Sequence, residues 1–107
     1  MHKLKNGARV LDVGSGSGYL AVCFAHLVKP TGKVVGVDHV EGLVELSLQN
    51  TRRSNSALLN EGILQFICGD GREGWPAAAP YDVIHVGAAG PEVPATLLEQ
   101  LAPGGML

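Results

Sequence analysis

Apolar positions along this chain alternate between two spacings. Ala8 to Val13 is a short, nearly continuous apolar run, which predicts a buried strand. From Tyr19 to Val28 the spacing widens: Leu20, Cys23, Phe24, Leu27 and Val28 fall at i, i+3, i+4, i+7 and i+8, one stripe of a helix. Lys29-Pro30-Thr31-Gly32 stops that helix, and Lys33 to Val37 is a second β-rich run ending at Asp38. Glu41 to Arg53 reads as a second helix, with Val44 and Leu48 one turn apart. Ser54 to Gly62 is a polar connection holding at most one turn around Ala57-Leu58-Leu59. Ile63 to Cys68 and Tyr81 to Val86 are a third and a fourth strand, separated by a loop over Gly69–Pro80 rich in Gly, Pro and Ala. A turn over Gly87–Pro94 leads to a short helix, Ala95 to Leu101. Pro103-Gly104-Gly105 then turns into Met106-Leu107, the onset of a fifth strand.

Strands alternating with helices call for an α/β fold, a mostly parallel sheet with right-handed crossovers. Residues 1–107 are expected to form a single domain of Rossmann-like type. A fold that stops at a strand onset leaves an open sheet edge, so the sequence reads as part of a larger domain, truncated at both ends.

Composition narrows the partners. The net charge is −2 and no block of Lys or Arg occurs, so nothing draws the chain to nucleic acid or to an acidic membrane surface. No apolar run is long enough to span a bilayer. Cys23 and Cys68 lie inside apolar runs without paired spacing, so both are expected to be free, buried thiols of a cytoplasmic protein. His2, His26, His39 and His85 show no metal-ligand spacing. A monomer is expected.

The candidate chemistry lies where strands end. Val10-Leu11-Asp12-Val13-Gly14-Ser15-Gly16-Ser17-Gly18 is a strand, an acid and three alternating glycines at a helix start. Glycine lets the backbone turn tightly and approach a ligand, and the new helix points unpaired N–H groups at it. A dinucleotide fingerprint would need its third glycine at position 19, which is Tyr19. G-x-G-x-G behind an acid is the form expected for S-adenosylmethionine rather than NAD or ATP. Asp38, 24 residues beyond Gly14, can accept hydrogen bonds from both ribose hydroxyls. Gly69-Asp70-Gly71 offers a carboxylate for an adenine amine, although alone it is an ordinary turn sequence. Asp12 either accepts the ammonium of the cofactor's methionine tail or braces the glycine loop through backbone N–H groups. His39 is placed to line the adenosine pocket. His85 reads as a satisfied core histidine, and Trp75 as a hydrophobic loop anchor.

The segments VLDVGSGSGYL (10–20), GKVVGVDHVEGLVE (32–45), GDGREGW (69–75), PYDVIHVGAAGPEVP (80–94) and LAPGGML (101–107) resemble the protein-L-isoaspartate O-methyltransferases, the vertebrate type most closely. Asp38-His39 and YDVIHVGAA are the parts particular to that family. The resemblance implies a class I S-adenosylmethionine-dependent methyltransferase core. It also implies a repair reaction: methyl transfer from S-adenosyl-L-methionine to the α-carboxylate of L-isoaspartyl residues in damaged peptides and proteins, with S-adenosyl-L-homocysteine as product. Cofactor contacts carry over to Gly14, Ser15, Gly16, Asp38, His39, Asp70 and Gly71, with Asp12 added from the loop argument. The family's upstream segment with its Ser/Thr acceptor site, and its downstream strands, have no counterpart among residues 1–107, so no catalytic residue is assigned. Two other readings stand beside this one. One is a truncated form that only binds the cofactor or a partner. The other is a methyltransferase acting on small molecules or RNA. Against the RNA version stand the charge and Gly87-Ala88-Ala89-Gly90-Pro91, where nucleobase amine methylases carry Asp/Asn-Pro-Pro-aromatic.

Overall fold

Strands covered on both faces need continuous rather than alternating apolar residues. β1 (Arg9–Val13) and β2 (Lys33–Asp38) have that character: only their first residues, Arg9 and Lys33, reach solvent. In the computed structural model, which describes residues 4–87 and 94–107, they lie inside a five-stranded sheet. β3 (Leu64–Cys68), β4 (Tyr81–Val86) and β5 (Leu101–Met106) complete it in the order β3-β2-β1-β4-β5, every pairing parallel. The expected parallel α/β architecture is therefore present, and the strand order reverses beside β1. Apart from its ends, the turn expected over Gly87–Pro94 lies outside the described residues.

Two apolar layers sandwich the sheet. On one face α1 (Tyr19–Val28) and α2 (Glu41–Asn60) set Phe24, Val28, Val44 and Leu58 against Val10, Val34 and Leu64. On the other, Leu97 of α3 (Ala95–Glu99) and Tyr81 pack with Leu11, Val13, Val35, Val37 and Ile84.

Four expectations from the sequence are corrected. The buried stripe of α1 is Ala21, Phe24, Ala25 and Val28, while Leu20 and Leu27 face outward, Leu27 at 52% exposure. This helix is apolar nearly all round, so periodicity could not choose its inner face. The connection expected at Ser54 to Gly62 is a continuation of α2, bent at Asn55 where φ is −140° and ψ is 35°. Ser54-Asn55-Ser56 explains both the bend and the expectation of a stop, since short polar side chains compete for backbone hydrogen bonds. Asn55 hydrogen-bonds His26 of α1 at 3.0 Å, and Leu58 beyond the bend is buried. The fifth strand starts at Leu101, not Met106. The step from Tyr81 to Val83 on β4 faces the longer step from Leu101 to Met106, an irregularity that absorbs Pro103 and two glycines at the sheet edge. Finally, Cys23 and Cys68 are free, but Cys68 is exposed and Cys23 only half-buried. The loop over Gly69–Pro80 also contains two short 3-10 turns, Gly71–Glu73 and Pro76–Ala78.

Candidate ligand site at the strand ends

In a sheet of this type ligands lie beyond the C-terminal strand ends, beside the point where strand order reverses. The loops leaving β1, β2, β3 and β4 meet there, and backbone bonds lock their first residues together. Gly14 and Ser15 N–H groups donate to the Val37 carbonyl, Gly87 to Val13, and Gly69 to Asp38. Gly14, Gly16 and Gly18 hold φ of 74°, 57° and 87°. The alternate glycines are thus required by a backbone that turns left-handed at every second residue.

These loops surround an open cavity of ≈ 710 Å³, within the range of small-molecule sites. Val13, Val37, Val86 and Leu97 give it an apolar floor, and Asp38, His39 and Asp70 line its polar side. Of the residues expected at the site, Gly14, Asp38, His39, Asp70 and Gly71 border this cavity, whereas Asp12, Ser15 and Gly16 do not. Gly71 is fitted for space: a Cβ there would lie 2.6 Å from Val13 Cγ1.

Asp38 is buried and already engaged. Its Oδ2 accepts from the Gly16 N–H and its Oδ1 from the Val40 N–H, each at 3.0 Å. It is this carboxylate, from the neighbouring strand, that braces the glycine loop. A carboxylate has about four acceptor sites, so two remain for a ligand's hydroxyl groups. The His39 ring is exposed, with Nδ1 3.8 Å from Asp38 Oδ1.

Asp70 differs. It accepts from the Arg72 N–H at 2.9 Å and from Arg72 Nε and Nη2 at 3.1 and 2.9 Å. The Arg72 side chain holds its carboxyl below the usual range, so a ligand amine would share this acceptor with a guanidinium. That partner was missed in the sequence; the signal was the Asp-x-Arg spacing behind a strand end.

Asp12 braces no backbone N–H in the loop, which corrects one of its two expected roles. It is 1% exposed, and its Oδ1 pairs with His85 Nδ1 at 3.0 Å. Its Oδ2 and the Ser15 hydroxyl are buried with no hydrogen-bond partner among the described residues. Burial pushes the Asp12 carboxyl up, against the pull of His85. A buried acceptor left without a donor costs about 1–3 kcal/mol, and a ligand's cationic donor would supply what is missing. His85 is thus satisfied, as expected, with a buried acid as its partner, but its ring is 40% exposed rather than enclosed in the core. The pairing follows from register, since Asp12 and His85 face each other across β1 and β4. Trp75 behaves as expected of an anchor: it packs from the Gly69–Pro80 loop against the core of Tyr81 and Leu97, its backbone N–H donates to Gln100 Oε1 at 3.0 Å, and its carbonyl accepts from the Tyr81 hydroxyl.

Comparison with known proteins places this arrangement. The model of the family described as Protein-L-isoaspartate(D-aspartate) O-methyltransferase (PCMT) matches residues 1–107. The protein-L-isoaspartate O-methyltransferase of Triticum aestivum is 57% identical over 105 residues, 97% of this chain and 46% of its own length. That of Caenorhabditis elegans is 54% identical over 101 residues, 94% of this chain and 45% of its own. The chain therefore spans less than half the length of these relatives. Among solved structures, a putative protein-L-isoaspartate O-methyltransferase from Plasmodium falciparum in complex with S-adenosyl-L-homocysteine superposes with a TM-score of 0.88 at 35% identity. That superposition covers 98% of this chain and 52% of the other. With the sheet order, the glycine loop and the paired strand-end acids all accounted for, the chain belongs to the protein-L-isoaspartate(D-aspartate) O-methyltransferase family.

Proposed function

We propose that this chain forms the methyl-donor side of a protein-L-isoaspartate O-methyltransferase that binds S-adenosyl-L-methionine and acts on isoaspartyl-containing peptides and proteins. The observation that carries the reading is the convergence of Gly14, Asp38, His39, Asp70 and Gly71 on one cavity of nucleoside-binding size, in a chain that matches the family along its length. The residues fit the cofactor. Asp38 has acceptor capacity for the ribose hydroxyls, and Val13, Val37 and Leu97 offer an apolar bed for the adenine. Asp12 does not border the cavity, but its unpartnered Oδ2, just before the glycine loop, is the acceptor left for the ammonium. Asp70 meets the adenine amine with Arg72 beside it. Gly16 and Ser15 do not border the cavity; they belong to the glycine loop that would face the donor's methionine tail.

Bound there, the donor supplies an activated methyl group. An acceptor carboxylate, whose ordinary pKa is near ~3.5, is already ionised at neutral pH and needs no general base. What the chain must contribute is position: a rigid loop, a fixed ribose and an in-line approach. The sequence likeness to the vertebrate-type enzyme belongs to this reading, carried by Asp38-His39 and the Tyr81–Ala89 run. So do a monomeric state and a reducing, cytoplasmic setting, with which the free Cys23 and Cys68 agree. Among the described residues no helix is long and apolar enough to cross a membrane.

The test is titration of S-adenosylhomocysteine into the chain alongside methylation of an isoaspartyl peptide. Binding with methyl transfer supports the whole reading, and binding without transfer supports a chain that only holds the cofactor. No binding overturns both.

A further inference from the structure

Beneath the glycine loop runs a row of polar side chains that the donor reading leaves partly unused. Asp12 on β1 stands in register with Gly36 on β2 and with His85 on β4. Ser15 folds back over Gly36, its Cβ 3.2 Å from where a Gly36 Cβ would stand. On the far side the His85 ring meets Phe24 of α1 edge-on, with centroids 5.8 Å apart. The imidazole keeps 40% of its surface exposed while its Nδ1 holds the buried Asp12 Oδ1. Among the described residues, the charged groups acting on Asp12 are His85 from β4 and Asp38 from β2; α1 contributes only Phe24. Asp12 therefore faces one titratable cation, His85, while Asp38 has its own neighbour in His39, and one carboxylate oxygen, Asp12 Oδ2, is left over.

We propose that His85 is a positioning residue of the donor site, acting through Asp12, and that its protonation competes with binding of the donor's cationic tail. The inference rests on the donor reading above. Two features carry it: register fixes Oδ1 on the imidazole so that only Oδ2 is free, and the imidazole has access to protons from solvent. A ligand ammonium at Oδ2 and a proton on His85 draw on the same carboxylate charge, so each weakens the other. Acid acts in one direction through both partners. Protonating His85 neutralises the pair, and protonating Asp12 removes the acceptor.

The experiment measures binding to the 107-residue chain between about pH 8 and about pH 6, the interval in which histidines commonly change charge. S-adenosylhomocysteine, which has the ammonium, and 5′-methylthioadenosine, which has the nucleoside without the amino-acid tail, are the probes. The expected result is severalfold weaker binding of S-adenosylhomocysteine at the acid end, buffer-dependent heat reporting proton release, and a flat profile for 5′-methylthioadenosine. His85→Gln, whose amide can still donate to Asp12, should bind with the slope removed; His39→Gln should keep it. A flat wild-type profile overturns the proposal while leaving the donor reading intact. So does a slope that survives His85→Gln, that vanishes in His39→Gln, or that 5′-methylthioadenosine shares. Absence of S-adenosylhomocysteine binding at every pH overturns both.

Discussion

Asp38 ends β2, Asp70 lies two residues beyond the end of the adjacent β3, and both border the same cavity, yet they are built in opposite ways. Asp38 is 6% exposed and spends its charge on two backbone N–H groups, one of them in the glycine loop. Asp70 is open to solvent and spends its charge on one side chain, Arg72. Glycines follow the same division. Those at 14, 16 and 18 serve a left-handed backbone, whereas Gly71 serves close packing on Val13. One wall of the site is thus preformed by buried backbone bonding, and the other is held by an exposed ion pair that a ligand can rearrange. Burial, rather than residue type, separates them.

The contrast breaks most sharply at Asp38. Asp38→Ala strands the Gly16 and Val40 amides, at about 1–3 kcal/mol for each left without a partner. Urea unfolding should show a large loss of stability. The glycines come next. Gly71→Ala should cost about 1–3 kcal/mol, because Val13 must move. Gly16→Ala should cost about 1–2 kcal/mol through its φ of 57° alone, since a Cβ there meets nothing within 4 Å. A crystal structure of each variant separates the two causes: a displaced Val13 in the first, a reorganised loop in the second.

Tyr81 anchors the loop that carries Asp70, its hydroxyl donating to the Trp75 carbonyl. Burial pushes its hydroxyl up to about 12 from the ordinary 10.0. Its contribution to stability is present below the ordinary value and is lost as pH rises from there to about 12. Tyr81→Phe should cost about 1 kcal/mol at neutral pH and abolish that alkaline component, read by thermal melts across the interval. The smallest effect is at Arg72. Arg72→Ala should leave the melting temperature unchanged, because exposed ion pairs contribute little. It should raise the Asp70 carboxyl toward the ordinary range, measurable by carbon NMR. In the wild type the small stabilisation from that pair is present at neutral pH and lost as acid titrates Asp70.

How much of this the chain discloses depends on range of interaction. β1 to β4 are legible because each is a short, mostly apolar run rich in β-branched residues or bounded by turn residues, and the glycine loop is legible because its spacing is local. Asp38 and Asp70 are legible as strand-end acids. Their difference is not, because it depends on which backbone groups β1 and β2 bring together. The Asp12–His85 pair joins positions 73 residues apart and exists only once β1 and β4 are in register. The end of α2 hides behind Ser54-Asn55-Ser56, whose local preference is overridden by burial of Leu58. β5 hides behind Pro103-Gly104-Gly105, a turn sequence that an edge strand tolerates.

On the proposed function, a preformed Asp38 wall would hold the donor's ribose. Calorimetric titration of S-adenosylhomocysteine into the wild-type chain and into Asp38→Asn tests it most directly. The account predicts one-to-one binding to the wild type, weakened in the variant by about 1.5–3 kcal/mol, tenfold or more. Equal affinity in the two proteins, or no binding to the wild type, would contradict it.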